Sequence, residues 1–270
     1  MSACNNLRTW NTWSIRNLKG KEKVVCLTAY DYSTARIVDE SGIHLILVGD
    51  TLGMTMLGYE STIPVTLQDM IHHTRAVSKG ALHALVVADM PFLSYQVSIS
   101  QAVENAGRLL KEANADAVKI EGGAIRKETV HVLIENGIPV MGHIGLTPQS
   151  VKELGGYRVQ GKTEQASAKL REDAAILENA GCFSIVLEGI PADLGKDISE
   201  QISIPTIGIG AGPDCDGQVL VIQDMLGMFS DFNPRFVKRY AELGDQMKKA
   251  FSTYAHEVQT GTFPGPEHCY

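Results

Sequence analysis

Short apolar runs recur along the chain, and five of them end on, or one residue past, a polar group capable of chemistry. They cover residues 45–50, 84–89, 117–121, 139–143 and 184–188, and their endings are Asp50, Asp89, Glu121, His143 and Glu188. Apolar runs of this length, flanked by helical periodicity, predict strands of a parallel sheet buried on both faces. Ligands of α/β folds sit just outside the carboxyl ends of such strands, so the repeated ending predicts a site before any motif is found. Further runs at 24–29, 205–209 and 218–222 raise the number of expected strands to eight.

Helical patterns separate most of these runs. One spans 31–41 and stops at Gly42. Another opens on Thr66 as N-cap, with Asp69 in its first turn, and stops at Gly80. Ser98 with Gln101 forms a capping-box pattern ahead of Ala102, Val103, Ala106, Leu109, Leu110 and Ala113, which recur at helical spacing. A helix at 126–136 is closed by Gly137 and Pro139, and one at 166–180 by Gly181. Eight strand–helix alternations in about 250 residues match an α/β fold of the (β/α)8 TIM-barrel kind. The competing architecture is a doubly wound open sheet. Its usual glycine fingerprint is missing from the first turn, which reads Thr28-Ala29-Tyr30-Asp31-Tyr32. No linker or shift in composition divides the chain, so a single barrel domain over 1–270 is expected. Two long connections, 51–65 and 144–163, are candidate lids; oligomer contacts or plain surface loops are equally good readings.

Composition narrows the class. A hydrophobic content of 44%, 26 glycines and 20% charged residues fit a compact α/β enzyme with many tight turns. A net charge of −7 without a basic block argues against nucleic acid as a partner. The polar first residues lack the apolar core of a signal peptide, and no run approaches the roughly 20 residues of a membrane helix. The cysteines (Cys4, Cys26, Cys182, Cys215, Cys269) are odd in number and widely spaced. They imply neither a disulfide framework nor a zinc site, and reduced thiols in the cytoplasm are expected.

Asp50 and Asp89 at neighbouring strand ends, with Glu121 nearby, supply the hard oxygen ligands that suit Mg²⁺ with part of its water shell. Any one of them alone would more simply cap a turn. Three on adjacent strands form a cluster that is costly without a cation. Lys119 shares a strand face with Glu121 and would neutralise the acids, bind an anionic substrate group, or do both. His143, between Gly142 and Ile144-Gly145, reads equally as a hydrogen-bonded core residue or a functional one. Glu188 is placed for general-base work, with a fourth metal ligand or a turn cap as the alternatives. His72 and His73 project about 100° apart on a helix and read as helix surface. The stretch 208–213 fails the dinucleotide pattern at Pro213, leaving a tight turn or a close backbone approach to a ligand. No Walker motif, Gly-x-Ser-x-Gly elbow or His-Glu-x-x-His is present.

Several of these segments together carry a family resemblance. Val48-Gly49-Asp50-Thr51-Leu52-Gly53, Ala88-Asp89-Met90-Pro91-Phe92 and Val118-Lys119-Ile120-Glu121-Gly122-Gly123 are three of them. Gly142-His143-Ile144-Gly145-Leu146-Thr147-Pro148-Gln149-Ser150 and Leu187-Glu188-Gly189-Ile190-Pro191 are two more. With 208–227 and 236–240 they resemble the ketopantoate hydroxymethyltransferase family over nearly the whole chain. The resemblance implies a barrel of the phosphoenolpyruvate mutase/isocitrate lyase type, assembled as a homodecamer (a pentamer of dimers). It implies Mg²⁺, 5,10-methylenetetrahydrofolate as one-carbon donor, a small 2-oxo acid as acceptor, and a place in pantothenate and coenzyme A synthesis. By matching position, Asp50 and Asp89 would bind the metal with Glu121 close to it. Thr51, Lys119 and His143 would hold the oxo acid, and Glu188 would be the base. The family commonly has Ser where this chain has Thr51; the hydroxyl survives and the added methyl would tighten the pocket. His72 stands where Tyr is frequent. The rival readings are a carbon–carbon lyase or mutase on the same barrel, which needs no folate, and a non-catalytic barrel that only binds a metabolite.

Overall fold

The computed structural model of the chain describes residues 8–228 and 234–270, so Cys4 lies outside the described residues. Contacts divide the chain into two compact units, one ending at Leu220 and one running from Val221 to Tyr270.

The first unit is a closed barrel of eight parallel strands in sequential order. They are β1 (Val24–Thr28), β2 (Leu45–Val48), β3 (Leu85–Asp89), β4 (Ala117–Glu121), β5 (Val140–Gly145), β6 (Ser184–Glu188), β7 (Thr206–Ile209) and β8 (Gly217–Leu220). The expected strand at 218–222 begins and ends earlier, because Ile222 already belongs to the short helix Ile222–Met225. The helix expected at 126–136 is Lys127–Glu135, preceded by a 3-10 turn, and the one expected at 166–180 starts at Glu164 with Thr163 as its cap. The Thr66 and Ser98 side chains each accept the backbone N–H three residues on. The reciprocal capping box forms at Thr66 with Asp69, while the pair expected to make one, Ser98 with Gln101, shows the Ser98 cap alone.

Alternation along each strand fills the barrel interior. Val24 and Cys26, Leu45 and Leu47, Leu85 and Val87, Ala117, Met141, Phe183, Val186, Ile207 and Val219 form one apolar cluster. Continuing the same two-residue step leads from Ala117 to Lys119 and Glu121, from Val87 to Asp89, and from Met141 to His143. The interior is therefore oily toward the N-terminal ends of the strands and polar toward their C-terminal ends. The helix Thr12–Arg16 inserts Ile15, fully buried, into the oily cluster, with Trp10 and Leu18 packed beside it. That plug was not expected from so polar a segment.

Among the described residues, Cys26, Cys182 and Cys215 are buried free thiols and Cys269 is exposed. No helix among the described residues is long and apolar enough to cross a membrane. The second unit contains the helix Leu243–Thr260, which leaves Met247, Phe251, Tyr254 and Val258 exposed along one stripe.

Candidate active site

Strand register brings the polar endings together. Asp89 pairs with Lys119 across β3 and β4, and Glu121 pairs with His143 across β4 and β5. Glu188 lies opposite Gly145 on β6. Gly145 takes φ +95°, and a Cβ there would meet the Glu188 carbonyl at 2.3 Å, so only glycine lets the chain leave β5 this close to β6.

The contacts form one network. The Asp50 N–H donates to Asp89 Oδ2 at 3.0 Å, which ties the end of β2 to β3. Lys119 Nζ lies 3.1 Å from Asp89 Oδ1 and 3.0 Å from His143 Nδ1. His143 stands 3.5 Å from Glu121 Oε1 on one side and 3.2 Å from Glu188 Oε2 on the other. Asp50, Asp89, Lys119, Glu121 and His143 are all buried, whereas the Glu188 side chain keeps 16% of its surface exposed at the mouth. Thr51 follows directly as the first turn of the short helix Leu52–Thr55 and uses its hydroxyl for no capping bond.

Charge is unbalanced here. Four carboxylates face one lysine and one histidine. Burial pushes the Asp50 carboxyl well up, and the Asp89 and Glu121 charges push the same way against Lys119 and the Gln149 amide. Burial also raises Asp89, with Lys119 opposing. Burial would lower the Lys119 ammonium, but Asp89, Glu121 and Asp50 outweigh it and hold it charged. For His143, burial and Lys119 push down while Glu121 and Glu188 push harder the other way, leaving it at about 9. An ammonium 3.0 Å from Nδ1 favours that nitrogen as an acceptor. The neutral tautomer this selects and the imidazolium both carry a proton on Nε2, toward Glu188.

Within this network of acids, Lys119 and His143, the buried polar atoms without an aligned hydrogen bond are Asp89 Oδ1 and His143 Nε2. Among the described residues no three His, Cys, Asp or Glu side chains converge as a ready-made metal cage. Mg²⁺ does not demand one, since it is usually held by one or two carboxylates with waters and substrate oxygens. Asp50 and Asp89, buried, adjacent and short of positive charge, fit that donor set.

Some participants were not foreseen. Gln149, in the 3-10 turn Pro148–Ser150, is buried among the acids and bonded to Asp50 and Glu121. Tyr95 is buried beside it. Neutral side chains in loops leave no charge or periodicity pattern to find them by, although Gln149 does sit inside a family-like motif. Both long connections reach the mouth, where the Tyr157 hydroxyl meets Met54 Sδ at 3.6 Å. Burial raises that hydroxyl, and the charges of Asp50, Glu188 and Glu121 add to the effect.

Other expectations sort differently. His72 is exposed, but His73 is half-buried and its Nδ1 lies 2.7 Å from the Tyr30 carbonyl, so it is a packing residue rather than plain surface. In the glycine-rich stretch, Gly212 takes φ +87° in a tight turn against Ala192, while Gly208 lies within β7 against Cys215.

Comparison with known proteins agrees across the chain. A family model described as ketopantoate hydroxymethyltransferase matches residues 9–266. A 3-methyl-2-oxobutanoate hydroxymethyltransferase of Clostridium novyi is 61% identical over 249 residues, covering 92% of this chain and 90% of that protein. The enzyme of the same name from Syntrophus aciditrophicus is 55% identical over 271 residues, covering all of both chains. Among solved structures, a 2,3-dimethylmalate lyase of the PEP mutase/isocitrate lyase superfamily superposes with TM-score 0.58 at 14% identity, over 96% of this chain and 91% of that one. A phosphoenolpyruvate phosphomutase from Streptomyces platensis subsp. rosaceus gives 0.61 at 13% identity, over 96% and 92%. At such identities the structural likeness speaks for the fold alone: a barrel of the PEP mutase/isocitrate lyase type.

Proposed function

The chain belongs to the ketopantoate hydroxymethyltransferase family, and from that premise we propose how the barrel mouth performs the reaction. The activity is transfer of a hydroxymethyl group to 3-methyl-2-oxobutanoate, giving ketopantoate for pantothenate synthesis. The carrier is 5,10-methylenetetrahydrofolate. A lyase or mutase reading rests on fold likeness at 13–14% identity and yields to relatives at 55–61%.

The observation that carries the mechanism is the grouping of four carboxylates with a single lysine and histidine at one mouth. Asp50 and Asp89 would hold Mg²⁺, with Glu121 beside it. Once bound, the ion would supply Lewis-acid polarisation of the 2-oxo group and stabilise developing negative charge. Lys119, charged and 3.1 Å from Asp89, adds a fixed positive charge next to where the carboxylate of the oxo acid would sit. The Thr51 hydroxyl and the unsatisfied Nε2–H of His143 supply hydrogen bonds that orient the substrate. Glu188, the most exposed acid of the group, takes the proton from C3. Its Oε2 lies 3.2 Å from His143 Nε2 without an aligned hydrogen bond, so that N–H is left for the substrate rather than committed to the base. The C3 carbon then bonds to the methylene carbon of the folate while both of that carbon's C–N bonds break. Water supplies the hydroxyl oxygen, and tetrahydrofolate leaves with its two nitrogens protonated, one proton from C3 and one from water.

We place the enzyme in the cytoplasm, with residues 1–270 working as one domain, since the family model runs through both units. The exposed stripe Met247, Phe251, Tyr254 and Val258 supports assembly with further copies, and the decamer is the assembly we propose. The direct test is loss of the C3 proton of the oxo acid into D₂O with Mg²⁺ and without folate. Wild type should exchange it; a Glu188→Gln chain exchanging as fast would remove Glu188 as the base.

A further inference from the structure

We infer that Gln149 is a positioning residue that holds the Asp50 and Glu121 carboxylates in the arrangement a divalent cation needs. The inference rests on the cation site proposed above.

Every hydrogen-bonding capacity of the Gln149 side chain is in use. Its Nε2 donates to Asp50 Oδ2 at 2.9 Å and to the Met90 carbonyl at 2.9 Å. Its Oε1 accepts from the Tyr95 hydroxyl at 2.8 Å and from Gln96 Nε2 at 3.1 Å. This fixes the amide: a flipped group would face Asp50 and a carbonyl with an acceptor, and two donors with a donor. The backbone N–H of Gln149 donates to Glu121 Oε2 at 3.0 Å. One residue therefore grips the carboxylate that ends β4 and the one that lies two residues past β2. Tyr95 locks the arrangement from behind, because its oxygen also accepts the Glu121 N–H at 3.1 Å.

The choice of an amide matters. A lysine or arginine here would fix Asp50 equally well but neutralise it. Gln149 orients the carboxylate and leaves its charge for a cation. The site thus divides the work: Lys119 offsets part of the charge, and Gln149 sets geometry. Outer-shell groups that orient metal-binding carboxylates are worth about 10–100-fold in metal affinity.

The test titrates the full chain with Mn²⁺ alone, following bound ion by electron paramagnetic resonance, with Mg²⁺ as competitor. Wild type should bind Mn²⁺ and release it to Mg²⁺. Gln149→Met, close in volume and without the amide, should weaken the Kd by about 10–100-fold. Tyr95→Phe should weaken it less, and the double variant should lose less than the two single losses combined, because both remove the bond between the Tyr95 hydroxyl and the Gln149 amide. The Mg²⁺ concentration for half-maximal turnover should rise by the factor seen with Mn²⁺, with kcat at saturation within a few-fold of wild type. Wild-type Kd values in both single variants, or a kcat loss that Mg²⁺ does not restore alongside an unchanged Kd, would overturn the role. If wild type binds no Mn²⁺, the cation site itself fails and the inference with it. If wild type binds, Asp89→Ala does not and Gln149→Met matches wild type, only the role of Gln149 fails.

Discussion

Acids stand at both ends of this barrel, and the two ends treat them differently. At the N-terminal end each acid has partners of its own. Asp39 accepts from the backbone N–H groups of Leu82, His83 and Ala84. Asp116 bonds the Val86 N–H and is paired with Arg8. Asp216 takes the Thr206 N–H and hydroxyl at 2.9 Å each and the Lys19 ammonium at 2.6 Å. At the C-terminal end Asp50, Asp89, Glu121 and Glu188 share Lys119 and His143. Burial acts on both sets: the Asp39 carboxyl ends below its usual range because hydrogen bonds outweigh burial, and the Asp50 carboxyl ends well above. Burial also raises Asp116, while His143 with Lys119 brings Glu121 down against burial. Satisfied acids fasten strands and loops. Acids that share partners are the ones proposed to meet a cation and a substrate.

The difference can be attacked from both ends. The largest effect is expected from Glu188→Gln, which should slow turnover by about 10²–10⁴-fold in a steady-state assay while leaving the melting temperature near wild type. Lys119→Met should follow. Removing the lysine from a buried cluster of acids costs about 3–5 kcal/mol in denaturant unfolding. Part of that loss should return with saturating Mg²⁺, which replaces the missing charge.

At the other end, Asp39→Asn should lower stability by about 1–3 kcal/mol through poorly met backbone N–H groups, with kcat within twofold of wild type. Its pH dependence has a definite sign. Because the folded carboxyl is held below its unfolded value, the stability it contributes is present above about pH 4 and is lost as pH falls through the folded value. The gap between wild type and variant should therefore be full at pH 7 and shrink below about pH 4 in acid unfolding. Thr51→Ser should matter least, with the KM for the oxo acid moving less than about threefold, since a methyl in a pocket is worth at most about 1–3 kcal/mol and the hydroxyl is kept.

The same comparison explains what was legible in the sequence. Acids of the C-terminal end follow their apolar runs, as Asp50, Asp89 and Glu121 do. Asp116 and Asp216 come directly before theirs, at 117 and 217, and so belong to the opposite end. Strand order and the six charged or titratable site groups were readable because period-two burial and chain direction fix both. Ile15 was not, since one buried side chain in a polar segment has no periodicity and its plug is decided by tertiary packing. Gln149 and Tyr95 were missed for a related reason: what they do depends on partners 26 to 99 residues distant in sequence. The overlooked depth of His73 has the same origin, a carbonyl 43 residues away.

The central claim is that charge at the C-terminal end is left unmet for a divalent cation. Calorimetric titration with Mg²⁺ of wild type, Asp89→Ala and Asp39→Asn tests it most directly. The account predicts saturable binding in wild type and Asp39→Asn and its loss in Asp89→Ala. Equal Mg²⁺ affinity in all three chains, or no binding in any, would contradict it.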